Sequence, residues 1–183
     1  MKTVIGIIGT IASGKDTAGA YIAKKLKAPI FEMSQPIIEE AKKRGVELRR
    51  ENLAKISSEI SIKKGDDYFI KQILEKIDDV GIITGMRQLP QLAFLRKRSN
   101  LILISIDADP RERFRRAIAR HRLSEEQTFD SFVNEEKDEN SGHHMLRLFE
   151  CLKRADYKIT SDNGIRRLNA DLNEILKKES LIK

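Results

Sequence analysis

The sequence lacks the residues that mark several functional classes. It has one cysteine, Cys151, so no internal disulfide can form and a reducing compartment is the expected setting. Tryptophan is absent and aromatic residues make up 5% of the chain, which argues against a base-stacking platform for single-stranded nucleic acid. No stretch approaches the ~20 apolar residues of a membrane span. The apolar run entered at Met1–Val4 is too short for a signal peptide, so the cytoplasm is the expected location and no membrane partner is expected. Ser-His-Asp, Cys-His and zinc-ligand patterns of useful spacing are missing. His143 and His144 are adjacent and would point in different directions on a helix, which makes them a poor metal pair and fits a surface or loop role. There is no repeat, low-complexity tract or linker, so residues 1–183 read as one domain.

What is present is a soluble composition, with 40% apolar and 34% charged residues and a formal net charge of +7. That excess fits nucleic acid, an anionic surface or small polyanionic ligands. The basic residues are dispersed, with the densest cluster at Arg111, Arg113, Arg115, Arg116, Arg120 and Arg122. Dispersal favours a holder of phosphorylated small molecules over a nucleic-acid binder, and no known reader motif stands in the chain.

Five short apolar runs read as buried strands: Thr3–Ile8, Pro29–Met33, Val80–Thr84, Leu101–Asp107 and Asp156–Thr160. Near-continuous Val and Ile suggest strands covered on both faces, as in a parallel sheet. Helical spacing fills Lys15–Leu26, Glu51–Ile62, Tyr68–Ile77 and the stretch after Asn163-Gly164, where Leu168, Leu172, Ile175 and Leu176 form one stripe. Pro110 suits the first position of a helix reaching about Arg120, and Ser124 with Glu126 and Gln127 suits an N-cap. Strand and helix alternate, which predicts an α/β fold with a five-stranded parallel sheet. Two polar, strand-free regions read as helical insertions. One, near residues 35–75, suits acceptor binding, and the other, within a lid of about 111–145, centres on 121–145.

The chemistry centres on Gly9-Thr10-Ile11-Ala12-Ser13-Gly14-Lys15-Asp16-Thr17, which lies between the first strand and the first helix. Glycines let the backbone close around phosphate oxygens, and the following helix points its positive end at them. Lys15 suits the β- and γ-phosphates of a nucleoside triphosphate. The strict pattern places Ser or Thr after the lysine. Here Asp16 stands there and the hydroxyl follows at Thr17, so both are candidates to arrange Mg²⁺ beside ATP. Gly9, Ala12, Ser13, Gly14, Lys15, Asp16 and Thr17 are the expected nucleotide-binding residues.

Elsewhere, Arg116 and Arg120 lie four apart, and arginines on one helix face can stabilise charge on a phosphoryl group in flight. A solvated face is the competing reading for that arginine-rich helix, and Arg122 is a weaker candidate. Arg87, just after the third strand, sits where ligands bind in open α/β sheets and suits an acceptor phosphate. Arg49 and Arg50, at the head of the Glu51–Ile62 helix, suit such a clamp less than they suit solvent. Ser34 suits a helix cap or an acceptor contact, and Cys151 suits the core.

The loop resembles that of small-molecule kinases in the nucleoside monophosphate kinase and dephospho-CoA kinase group. In adenylate kinases the lysine is followed by Gly-Thr, so Thr17 falls on their threonine, and some phage-type deoxynucleotide monophosphate kinases carry Gly-Lys-Asp-Thr. The segment Ile104–Pro110, then Arg116, Arg120 and Leu123–Gln127, is similar to the turn and lid of dephospho-CoA kinases. Ala155–Thr160 with Asn163-Gly164 is similar to their final strand and adenine-side loop. The likeness covers residues 3–27 and 100–178 and departs in the middle. No acidic pair stands in Phe31–Pro36, and Thr84 of Thr84-Gly85-Met86-Arg87 occupies the place of an aspartate. The resemblance implies a P-loop kinase using ATP and Mg²⁺ on a small phosphorylated acceptor, either a nucleoside or deoxynucleoside monophosphate or dephospho-CoA. A nucleotide-binding regulator or weak NTPase and a nucleic-acid-binding ATPase stay as alternatives. The sequence carries no signal for oligomeric state.

Overall fold

The structure is a computed structural model and describes residues 1–120, 127–140 and 147–183, with the side chains of Arg50, Glu139 and Asn140 outside that set. The expected N-cap at Ser124, the candidate Arg122, the Leu123–Glu126 segment and both adjacent histidines lie outside the described residues.

Five strands form one parallel sheet in the order β2-β3-β1-β4-β5: β1 Thr3–Ile8, β2 Ile30–Glu32, β3 Val80–Thr84, β4 Asn100–Asp107 and β5 Tyr157–Thr160. The first strand is central, pairing Ile5 with Ile82 on one side and with Ile102 on the other. Its place explains its composition: a strand covered on both faces buries every residue after Thr3.

Alternation along the strands sorts two cores. Ile5, Ile7, Ile82, Ile102, Ile104, Ile106 and Ile159 pack against α1 (Lys15–Leu26) and α9 (Gly164–Lys178), through Ala18, Ile22, Leu168 and Leu172. Val4, Ile8, Ile83, Leu101 and Leu103 face the other way, onto α4 (Tyr68–Glu75), α5 (Leu89–Arg98) and α8 (Leu148–Lys153). Cys151 lies fully buried in this second core, as expected of a core filler.

The insertion near residues 35–75 folds as α2 (Gln35–Lys43), α3 (Arg50–Lys64) and α4, around Ala41, Ile56 and Ile60. The region expected to form a lid holds α6 (Pro110–Ala119) and α7 (Phe129–Asn140). Asp109 caps α6 by accepting the Arg111 N–H at 2.9 Å, and Pro110 follows at the start of the helix, where its missing N–H costs nothing. Ser34 holds the N-cap place of α2 without a side-chain cap bond, which corrects the capping expectation. Its own φ and ψ, −74° and −25°, are helical, whereas a capping side chain works from extended backbone.

Candidate functional site

The loop between β1 and α1 is pressed against its neighbours. A Cβ on Gly9 would stand 2.4 Å from the Ile106 carbonyl oxygen and 2.4 Å from Ser13 Oγ, so no larger residue fits there. Gly14 has φ +97° and Ala12 φ +57°. Gly14 takes that conformation readily, whereas Ala12 does so at a cost of about 1–2 kcal/mol that its surroundings must offset. Ala12 is buried against Ala117 and Phe132, with Ile11, Phe114 and Val133 around them, so the bases of α6 and α7 hold the loop from behind.

The loop's chemistry suits phosphate. The buried hydroxyls of Thr10 and Ser13 have no hydrogen-bond partner among the described residues, an arrangement that phosphate oxygens would satisfy. The α1 helix begins directly at Lys15, aiming its positive end at the loop. The Lys15 ammonium lies 3.3 Å from Asp16 Oδ1, with the lysine side chain 12% exposed. Cation, carboxylate and the Thr17 hydroxyl thus share the first turn. Among the described residues no cluster of three or more His, Cys, Asp or Glu side chains stands ready for a metal. Mg²⁺ does not need one, because it commonly takes one or two protein oxygens and completes its shell with substrate phosphate and water.

The turn after β5 closes the site from the far end of the chain. Ser161 Oγ donates to the Ser13 carbonyl at 2.7 Å and accepts from Arg116 Nη1 at 2.7 Å, while Arg116 Nη2 reaches the Ser161 carbonyl at 3.0 Å. Arg116 is thereby one hydroxyl away from the phosphate loop. Its Nε also binds Glu112 at 2.9 Å. Hydrogen bonds from Arg115 first and Arg116 second hold the Glu112 carboxyl down at about 2, so this anchor stays ionised across the working pH range. Asn163 and Gly164 stand beside Ser161 at the head of α9, both exposed. Arg120 lies beyond the last residue of α6 and is exposed, so of the two paired arginines only Arg116 is brought to the loop.

Thr84 ends β3 almost fully buried, its methyl 2.9 Å from where a Cβ on Gly19 would stand. The position is therefore a packing contact between β3 and α1 and adds no charge to the site. Arg87 follows it, half-buried, in a loop tied down at both ends: its N–H donates to Gln91 Oε1 at 3.2 Å and its carbonyl accepts from the Arg147 N–H at 2.8 Å. Ser34 is exposed after β2. Arg49 pairs with Glu47 at the surface at 2.8 Å, and the Arg50 side chain lies outside the described residues.

Sequence reasoning missed Ser161, Arg113 and Glu136. Arg113 is 4% exposed, although it reads as one of several solvated arginines. Its signal was positional: Arg113 and Ala117 are four apart and share the buried stripe of α6. Ser161 had no signal beyond its place after the last strand.

An AAA domain family model matches residues 5–141, from β1 through α7. The chain belongs to the AAA domain family and to the UPF0200 proteins. A UPF0200 protein of Methanocaldococcus jannaschii is 30% identical over 182 residues, covering 94% of this chain and 88% of that one. A UPF0200/UPF0201 protein of Archaeoglobus fulgidus is 28% identical over 183 residues, but the chain spans only 55% of its length. Among solved structures, a shikimate kinase from Bacteroides thetaiotaomicron matches this AAA domain with a TM-score of 0.62 at 14% identity, over 97% of this chain and 98% of that one. At that identity the likeness establishes a shared P-loop fold. No helix among the described residues is long and apolar enough to cross a membrane.

Proposed function

We propose that the protein is an ATP-dependent phosphotransferase that moves the γ-phosphoryl group onto a small phosphorylated acceptor, a nucleoside or deoxynucleoside monophosphate. The observation that carries the reading is the convergence of Lys15, the orphan hydroxyls of Thr10 and Ser13, and the Ser161-anchored Arg116 on one glycine loop. The likeness in fold to a shikimate kinase supports a kinase class.

In this reading the loop amides and Lys15 hold the triphosphate. Asp16 and Thr17 would hold Mg²⁺, which would supply charge neutralisation to the phosphates. Arg87 grips the acceptor phosphate. An acceptor oxygen forms the new bond to phosphorus as the bridging β–γ oxygen departs with ADP. Arg116, held by Ser161 and Glu112, stabilises the charge that spreads over the moving group, with Arg120 approaching on closure. Positioning and electrostatics supply the rate, without a covalent intermediate.

Two acceptors compete within this class. The lid-side arginines and the turn carrying Asn163 and Gly164 favour dephospho-CoA, whereas the Gly-Lys-Asp-Thr loop and the middle segment favour a nucleotide. A second class, a regulator or weak NTPase, is favoured by one observation: the uncharged Thr84 buried at the end of β3. Incubating ATP and Mg²⁺ with a panel of NMPs, dNMPs and dephospho-CoA separates them. ADP release that depends on an NMP or dNMP is the expected result. Dependence on dephospho-CoA alone reassigns the acceptor, and slow hydrolysis indifferent to every acceptor overturns the kinase reading. The metal is tested in the same panel, because full turnover in excess chelator would overturn it.

A further inference from the structure

One buried charged group is not used by the chemistry above. Arg113 donates from Nη1 and Nη2 to the two carboxylate oxygens of Glu136, at 2.5 and 2.7 Å, in a bidentate pair that joins α6 to α7. Its Nε donates to the Ala108 carbonyl at 3.1 Å, in the turn that starts α6. The same Nη1 also reaches the Ile11 carbonyl in the phosphate loop, at 3.5 Å. The guanidinium lies 5.7 Å from the ring centre of Phe132, which packs against Ala12. One side chain therefore touches the loop, the end of β4 and the lid helix.

The contact falls at the one non-glycine loop residue with a left-handed backbone. Ala12 has φ +57° and the described residues contain no cis peptide, so the Ile11–Ala12 peptide is trans. In a trans peptide the C=O and N–H point in opposite directions. Drawing the Ile11 carbonyl towards Arg113 thus turns the Ala12 N–H the other way. A buried pair is also a costly way to gain stability alone, since apolar residues of similar volume serve as well or better. The pair makes more sense as a device that fixes one arrangement.

We infer that Arg113 and Glu136 are positioning residues: they clasp α7 to the phosphate loop and set the Ile11–Ala12 peptide so that the Ala12 amide faces bound phosphate. The inference rests on the nucleotide-binding reading and concerns the shape of the loop, not the identity of the acceptor.

The test separates shape from stability. In Arg113→Met/Glu136→Leu the pair gives way to apolar side chains of similar reach. The expected result is a melting temperature near that of the unaltered protein, ADP affinity by calorimetry weaker by about tenfold, and an unchanged acceptor KM. A stable double variant that binds ADP as tightly as the unaltered protein overturns the clasp. Should the double variant fail to fold, Glu136→Gln decides: a several-fold loss of ADP affinity with acceptor KM unchanged is expected, and undiminished ADP affinity overturns the clasp. An unaltered protein that binds no ADP fails at the nucleotide reading instead, which is a distinguishable result.

Discussion

The two ends of the proposed site are built differently. The phosphate end joins segments far apart in sequence. Ser161 bonds to Ser13 across 148 positions, Arg113 reaches Ile11 across 102, and the loop is buried against β4. The acceptor-side insertion is more local: α2 and α3 close with Tyr68 and Phe69 around their own small cluster, and Arg44 pairs with Glu40 and Glu59 at the surface, with Arg87 anchored to the distant Arg147. Triphosphate recognition needs one fixed arrangement of backbone, so long-range packing holds it. On the proposed reading, acceptor recognition would rest on a few side chains at the mouth of the sheet, where the structural demand is light and the chemistry is free to vary.

If the phosphate end is generic and indispensable, its lysine should carry the largest effect. Lys15→Ala should lower ATP turnover by a factor on the order of 10² to 10³, a loss comparable to removing one preorganised charge donor. Turnover near that of the unaltered protein would show that the loop does not hold the nucleotide, and the comparison would collapse. Gly9→Ala tests the packing half of the claim. Its new Cβ would meet the backbone oxygen of Ile106, which has no rotamer with which to escape. A stability loss of about 1–3 kcal/mol is expected in denaturant unfolding. An unchanged midpoint would mean that the loop yields more easily than its burial implies.

The same division explains what the sequence made legible. The glycine loop, the five strands and α1 were readable because each satisfies a strict local demand: close approach to phosphate, burial on both faces, or one apolar stripe. The strand expected over Pro29–Met33 shortens to Ile30–Glu32 because β2 is an edge, with Ile30 exposed and burial on one face only. The α5 and α8 helices went unread. One starts at Leu89-Pro90, where a proline looks like a break, and the other has six residues, too few to show a period. Spacing places Arg113 on the buried stripe of α6, but the partners of Ser161, Arg113 and Glu136 were illegible for another reason. Their roles exist only once distant segments meet, and no spacing along the chain encodes that meeting.

At the acceptor end the expected effect is smaller and selective. Arg87→Ala should raise the acceptor KM roughly tenfold, the worth of one charge-assisted hydrogen bond, and leave the ATP KM unchanged. An equal rise in both would mean that Arg87 serves the nucleotide, and the two ends would not be separable in the way their packing suggests.

The smallest effect comes from the core beneath both ends. Burial pushes the Cys151 thiol up to about 11 from an ordinary value of 9.0, with Arg154 pulling it down and Glu150 pushing it up. A raised thiol pKa means that the fold prefers the neutral form. Its stabilising contribution is therefore complete below the unfolded value and is lost as pH rises from about 9 towards about 11. At pH near 8 the folded protein should present almost no thiolate and should resist alkylation by iodoacetamide, whereas the urea-unfolded chain reacts at the ordinary rate. The thiol lies on α8, whose first turn follows the Arg147 N–H that binds the Arg87 carbonyl, so labelling also reports on the anchoring of the acceptor loop. Native labelling as fast as that of the unfolded chain would show that α8 opens readily. Arg87 would then lack a fixed frame, and the contrast between a rigid phosphate end and a locally held acceptor end would become one between a rigid end and a loose one.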